Sequence, residues 1–250
     1  MMEHELNRII KFIRDYYNKY DLSGCVLGIS GGKDSAVASA LMCKAIGCEN
    51  VVGLTLPCHS LKTDRIDAKK ISDYYGFKLY NIDLTGVFDV FKEEVRKEVS
   101  FKEEDTLDSD INLKPKLRMA SCYYMASLLT SITKKKYLVV GTSNKCELYV
   151  GYFTKGGDSV YDISLLGDLT VSEVIKLGEL LNVPSDILYK VPSDGLSKMS
   201  DEDKMGVSYK EIEEYMYRGY VSNENVSKKI EKMHKGSRHK FNIPMYMKDK

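Results

Sequence analysis

Residues Gly28-Ile29-Ser30-Gly31-Gly32-Lys33-Asp34-Ser35 bring glycines, hydroxyls, a lysine and a carboxylate together between an apolar run and a helical one. Glycines let the backbone turn sharply and approach a ligand closely. The N–H groups of such a turn add to the unpaired donors of the following helix, and together they form an anion site suited to phosphate. Ser30 and Ser35 can supply further donors, and Lys33 stands where it can reach a phosphate. The spacing is not a Walker A loop: three residues rather than four separate Gly28 from Gly32, and neither Ser nor Thr follows Lys33. Nor is it GxGxxG. A plain strand-to-helix turn would account for the glycines but not for Asp34. A carboxylate in the first helical turn beside a phosphate nest suits a magnesium ion bridging carboxylate and phosphate.

A second carboxylate, Glu147, follows the apolar run 137–142, and a basic cluster, Lys235, Arg238, His239 and Lys240, closes the chain. Taken singly, these would be a helix-start residue and a solvated tail. A pyrophosphate-bearing ligand would give the basic cluster a partner. Lys134, Lys135 and Lys136 read as an exposed turn before a strand. The six cysteines form no CxxC pair and no zinc spacing, and sit mostly in apolar stretches, so reduced structural thiols are expected.

The elements that must position these groups alternate between two periods. Helices are expected at 3–20, 35–47, 64–75, 85–98 and about 114–133, with Pro115 in the first turn of the last. Strands are expected at 25–30, 51–56, 78–83 and 137–142. Continuous apolar strands alternating with helices mean parallel pairing covered on both faces. Residues 150–168 read as Gly- and Asp-rich loop. Thr170 with Glu173, and Ser208 with Glu211, form capping boxes that open later helices, while 192–206 reads as a mobile loop. The expected architecture is α/β: one domain over 1–250, a doubly wound, Rossmann-like parallel sheet with flanking helices. In such a sheet the ends of the first and fourth strands meet at the topological switch point, which would bring Asp34 and Glu147 together.

The chain has 250 residues, 43% hydrophobic and 29% charged, with 37 Lys and Arg against 36 Asp and Glu. That balance gives no global field for nucleic acid or an anionic membrane. The amino end lacks an apolar h-region and no run of 18 apolar residues occurs, so a cytoplasmic protein without a membrane span is expected.

The SGGKDS run after an apolar strand resembles the SGGxDS loop of N-type ATP pyrophosphatases. Three further stretches are similar to the signature of the NAD synthetase family: Gly141-Thr142-Ser143-Asn144-Lys145-Cys146-Glu147; Gly151-Tyr152-Phe153-Thr154-Lys155, followed by Gly157-Asp158 and Asp162; and Pro192-Ser193-Asp194-Gly195-Leu196. Ser60, Asp64, Asp67, Ala68 and the tail His239-Lys240 extend the resemblance over about residues 3 to 246.

It implies ATP-dependent amidation of deamido-NAD by ammonia, through an adenylate, with release of AMP and pyrophosphate. It also implies ATP contacts at residues 28–35, Thr142 and Ser193, and magnesium on Asp34 and Glu147. The dinucleotide would be held by Lys116, Lys155, Asp162, His239 and Lys240, and the molecule would be a homodimer with substrate near the interface. Glutamine-using members carry an extra nitrilase-like domain, for which 250 residues leave no room, so free ammonia is the expected nitrogen source. Lys116 stands where many members have Arg, which keeps the charge but loses the planar fork; Arg118 matches and can share the role. Val171 stands where many have an ATP-contacting Lys. The alternatives are another ATP pyrophosphatase-type activation, such as sulfur transfer or tRNA modification, and a nucleotide sensor without turnover. The first would want paired reactive thiols and a broad basic surface; retention of both Asp34 and Glu147 speaks against the second.

Overall fold

The computed structural model describes residues 2–60, 62–190 and 200–247. The chain runs α1 (Met2–Tyr20), β1 (Gly24–Gly28), α2 (Lys33–Ile46), β2 (Val51–Thr55), α3 (Lys62–Tyr75), β3 (Lys78–Asn81), α4 (Thr85–Glu98), α5 (Leu107–Thr133), β4 (Tyr137–Gly141), α6 (Lys145–Val150) and β5 (Ile163–Ser164). It continues through α7 (Val171–Leu180), α8 (Ser185–Leu188), α9 (Asp201–Met205), α10 (Tyr209–Arg218) and α11 (Glu224–Ser237).

The sheet order is β3-β2-β1-β4-β5, and every pairing is parallel. The period of two in β1 divides its side chains between two cores. Cys25 and Leu27 join Ile13, Leu41, Val174 and Leu177 on the face covered by α1, α2 and α7. Val26 joins Val52, Leu54, Phe88, Cys122 and Ala126 on the face covered by α4 and α5. Strand order reverses between β1 and β4, so the turns after these strands share one crevice, as expected for a doubly wound sheet.

The four expected strands are present, each ending one or two residues early, and they are joined by a fifth. β5 lies inside the stretch read as loop. It is two residues long, pairing Val140 with Ile163 and Gly141 with Ser164, too short for a periodic signal. Pro115 corrects a second expectation: α5 begins at Leu107, so Pro115 lies well inside it. Asp108 and Asp110 in the first turn favour the earlier start through the helix dipole. The proline removes only one N–H from a long ladder. The third correction is α9, inside the segment read as mobile. Ser200 caps it and Asp203 returns the bond, a five-residue helix that a polar composition hides. Residues 191–199 lie outside the described residues, Ser193 with them. The capping boxes at Thr170 and Ser208 form as expected.

All six cysteines are free thiols, five of them buried. Burial pushes the Cys122 thiol up to about 12, and burial is also the main cause that raises Cys146 to about 12, so neither is a reactive thiolate near neutrality. Among the described residues no helix is long and apolar enough to cross a membrane.

Candidate functional site

The turn after β1 is held by its own hydroxyls. Ser35 Oγ accepts the Ser30 N–H at 3.2 Å and donates to the Gly32 carbonyl at 3.1 Å, while Ser30 Oγ accepts the Gly32 N–H at 3.2 Å. Gly31 has φ +79, a left-handed conformation that side chains rarely adopt, and it folds the loop back over the helix start. The N-cap of α2 is Gly32, and no side chain caps it. The first N–H groups of a 14-residue helix are thus left for an external acceptor.

Asp34 enters the crevice from the first turn of α2, and Glu147 from the first turn of α6. One residue ties them. Asn144 caps α6 by accepting the Glu147 N–H on Oδ1 at 3.1 Å, and its own N–H donates to Glu147 Oε2 at 3.1 Å. The same Asn144 side chain donates through Nδ2 to Asp34 Oδ1 at 3.2 Å. Asp34 Oδ2 accepts from Lys33 Nζ at 2.9 Å. Lys33 is only 5% exposed. Burial alone would push its ammonium down, but the charges of Asp34, Glu147 and Asp201 outweigh burial and hold it above the ordinary lysine value. Burial, and then the neighbouring Asp34 charge, raise the Glu147 carboxyl well above the usual carboxylate range.

Two convergent carboxylates beside a phosphate nest are hard oxygen donors of the kind magnesium takes, and a cation would relieve their mutual repulsion. Among the described residues no three His, Cys, Asp or Glu side chains form a complete cage. That fits magnesium held by one or two carboxylates with phosphate oxygens and water completing the shell.

Beyond Glu147 lies the loop 150–162. Asp158 accepts the Thr154 N–H at 2.7 Å and is raised by burial. Thr154 Oγ1 donates to Asn112 on α5 at 2.9 Å. Gly157 lies so close to α5 that an added Cβ would come within 2.9 Å of Pro115 Cβ and 3.0 Å of its carbonyl carbon. The basic tail folds onto this loop. Lys240 Nζ donates to the Gly151 and Phe153 carbonyls, both at 2.7 Å, and Lys155 Nζ donates to the His239 carbonyl at 2.9 Å. Burial lowers the Lys240 ammonium, with Asp158 opposing the shift.

Lys155, His239 and Lys240 are therefore brought together, while Lys116 approaches this loop through its backbone, which an added Cβ at Gly157 would meet at 3.2 Å. Asp162 stands apart just before β5, beside Val139 of β4, where its carboxylate accepts from Tyr123 OH at 3.1 Å and from the Val139 N–H at 2.8 Å. Thr142 follows β4 directly. Arg118 donates to the Leu56 carbonyl and Ser60 Oγ, both at 3.2 Å, and its charge also acts on Asp158. Val171 is packed with Cys146, Val150, Met205 and Ile212, so this position has no access to a phosphate.

The sequence reading missed three groups. Asn144 was visible within the motif but had no assigned role. Asp201 and Tyr209 come from α9 and α10, and nothing in their local spacing points to the crevice.

The fold and the nest together define a doubly wound α/β protein whose nucleotide-type site lies at the switch point. The family model described as NAD synthase matches residues 5–244. The chain is 39% identical over 246 residues to the NH(3)-dependent NAD(+) synthetase of Syntrophomonas wolfei, covering 97% of this chain and 94% of that one. Among solved structures it resembles the NMN synthetase of Francisella tularensis, at 32% identity and TM-score 0.87, over 99% of this chain and 98% of that one. It also resembles the NH3-dependent NAD synthetase of Campylobacter jejuni, at 25% identity and TM-score 0.77, over 99% of both chains. The chain belongs to the NAD synthase family.

Proposed function

We propose that this chain, acting as one domain, amidates deamido-NAD with ammonia at the expense of ATP, forming NAD, AMP and pyrophosphate. The observation that carries the reading is the uncapped, glycine-turned start of α2 facing two carboxylates joined by Asn144. The α2 N–H groups, Ser30 and Lys33 hold the triphosphate, with Thr142 and Ser193 as further ATP contacts. Asp34 and Glu147 would hold magnesium, which when bound neutralises phosphate charge and favours loss of pyrophosphate. Lys116, Lys155, His239 and Lys240 receive the dinucleotide, with Asp162 fixing its far side. The nicotinate carboxylate attacks the α-phosphorus, pyrophosphate leaves, and ammonia then displaces AMP from the acyl carbon. No covalent nucleophile of the protein is needed; positioning and charge neutralisation suffice.

The test is an incubation with ATP, magnesium, deamido-NAD and ammonium, assayed for AMP and NAD. Ammonia-free glutamine should not replace ammonium, and equal rates with the two would overturn the nitrogen assignment. One neighbour carries the name NMN synthetase, so nicotinate mononucleotide is the second acid substrate to compare. A higher kcat/KM for the mononucleotide would move the substrate assignment while leaving the chemistry unchanged.

Gly157→Ala tests the dinucleotide side. The new methyl would meet the backbone of α5, and overpacking of this kind costs about 1–3 kcal/mol. Displacement of the loop that carries Lys155 should raise KM for deamido-NAD roughly tenfold and leave KM for ATP within about twofold. A parallel rise in both would show that the loop does not act on one substrate.

We also propose a homodimer through α4 and α5. Their outer faces expose Val87, Val90, Phe91, Val95, Leu107 and Ile111. Such a contiguous apolar face is characteristic of a covered surface. A charged substitution at Phe91 should convert the dimer to monomer in light scattering; a monomeric wild-type chain would refute the assignment.

A further inference from the structure

Tyr209 is the first residue of α10. Ser208 and Glu211 cap that helix, and the Tyr209 N–H donates to Glu202 Oε1 at 2.8 Å. These bonds set the direction of a side chain that is 4% exposed. Its ring packs with Cys146, Met205 and Ile230 and lies beneath Lys33, whose Nζ is 5.4 Å from the ring centre. The ring thus belongs to the fold and to the lysine, and a phenylalanine would pack as well.

The hydroxyl is another matter. It is fully buried and finds no hydrogen-bond partner among the described residues. Leaving a buried O–H unpaired costs the desolvation of the group with nothing returned. The Lys33 Nζ over the ring is bonded to Asp34 Oδ2 at 2.9 Å, which sets the phenol near the paired carboxylates. Burial first, then the charges of Glu147, Asp201 and Asp34, keep it a neutral donor and acceptor. A bare phosphate oxygen would meet those carboxylates unfavourably. A water polarised by a divalent cation would not, because it can donate to a phenol oxygen and to a carboxylate at once.

We infer that the Tyr209 hydroxyl is a positioning group for the cation, pairing with a water on the metal held by Asp34 and Glu147 when nucleotide is bound. The inference rests on the magnesium reading given above. It assigns to α10, outside the nucleotide loop, a direct part in metal affinity.

The test uses the full chain and Tyr209→Phe, which removes one oxygen. Manganese is titrated into enzyme loaded with α,β-methylene ATP, and free manganese is read by electron paramagnetic resonance. Affinity should fall roughly tenfold, the lower end of the range for groups that act on a metal through its ligands. The melting midpoint of the ligand-free variant should equal or exceed that of the wild type, since the hydroxyl has no partner to lose. Unchanged manganese affinity would overturn the inference. So would a lower ligand-free midpoint, which would reveal an internal partner, or a raised KM for ammonium with metal affinity intact, which would assign the hydroxyl to the nucleophile. Asp34→Asn and Glu147→Gln are titrated alongside. If they lose manganese and Tyr209→Phe keeps it, only the tyrosine assignment fails; if they also keep it, the paired-carboxylate reading fails with it.

Discussion

Asp34→Asn and Glu147→Gln should each lower NAD formation by a factor on the order of a hundred or more, the scale on which a preorganised charge partner acts. The double variant should lose little beyond either single one. Asn144 bonds to both carboxylates, and both address one cation, so removing either disables the same unit. The fold should survive. Glutamine at 147 can still accept the Asn144 N–H and keep the capping box of α6, and asparagine at 34 keeps the volume of the first turn of α2. A double-mutant cycle on NAD formation, with thermal unfolding as control, makes the measurement. Additive losses would place the carboxylates in separate sites, and a Glu147→Gln enzyme working normally at low magnesium would remove that residue from the metal.

Lys33→Met should damage stability and turnover together. The lysine is 5% exposed and its partner Asp34 is 19% exposed. Removing one member of a buried pair costs about 3–5 kcal/mol, and the residual solvent at Asp34 should bring the loss to about 2–4 kcal/mol. Turnover should fall by a factor on the order of a hundred, because the triphosphate loses a fixed positive charge. The pH dependence carries a sign. Burial and the Asp34 charge already raise the Glu147 carboxyl well above the usual carboxylate range, and its ionised form is the one that needs a cation beside it. Without Lys33 it is raised further, the folded state then holds more protons than the unfolded chain, and stability falls as pH rises above the usual carboxylate range. The deficit relative to wild type should therefore be larger at pH 8 than at pH 5 in urea unfolding. A deficit that shrinks towards pH 8 would mean that Lys33 does not serve these carboxylates.

The relatives named NH3-dependent NAD(+) synthetase match nearly the whole chain. Val171 is sealed in an apolar cluster, so the lysine that many members place there has no counterpart. Lys33 and the uncapped α2 N–H groups are positive elements at the turn after β1. Lys116 is exposed, with its backbone against Gly157, and Arg118 bonds to the β2–α3 connection while its charge also reaches Asp158.

Much of this was legible in the chain because it depends on near neighbours. The parallel alternation follows from apolar runs bounded by glycine and proline, and the nest follows from the residue types in one turn. Capping boxes read correctly at Thr170 and Ser208 because the signal is two residues at fixed spacing. Even the meeting of Asp34 and Glu147 follows once the sheet is read as doubly wound. Other features depend on packing between segments far apart, for which no local period exists. β5 is two residues completed by β4, α9 is one short turn, and the early start of α5 rests on an acidic first turn that carries no apolar period. Asn144 had to be placed at the start of α6 before it could join two carboxylates from different helices. Tyr209 had to be carried by α10 beneath Lys33, 176 positions earlier in the chain, before its ring could pack under that lysine and its hydroxyl be buried. Nothing in the sequence around Tyr209 records that approach, because the helices that produce it meet only when the chain has closed on itself.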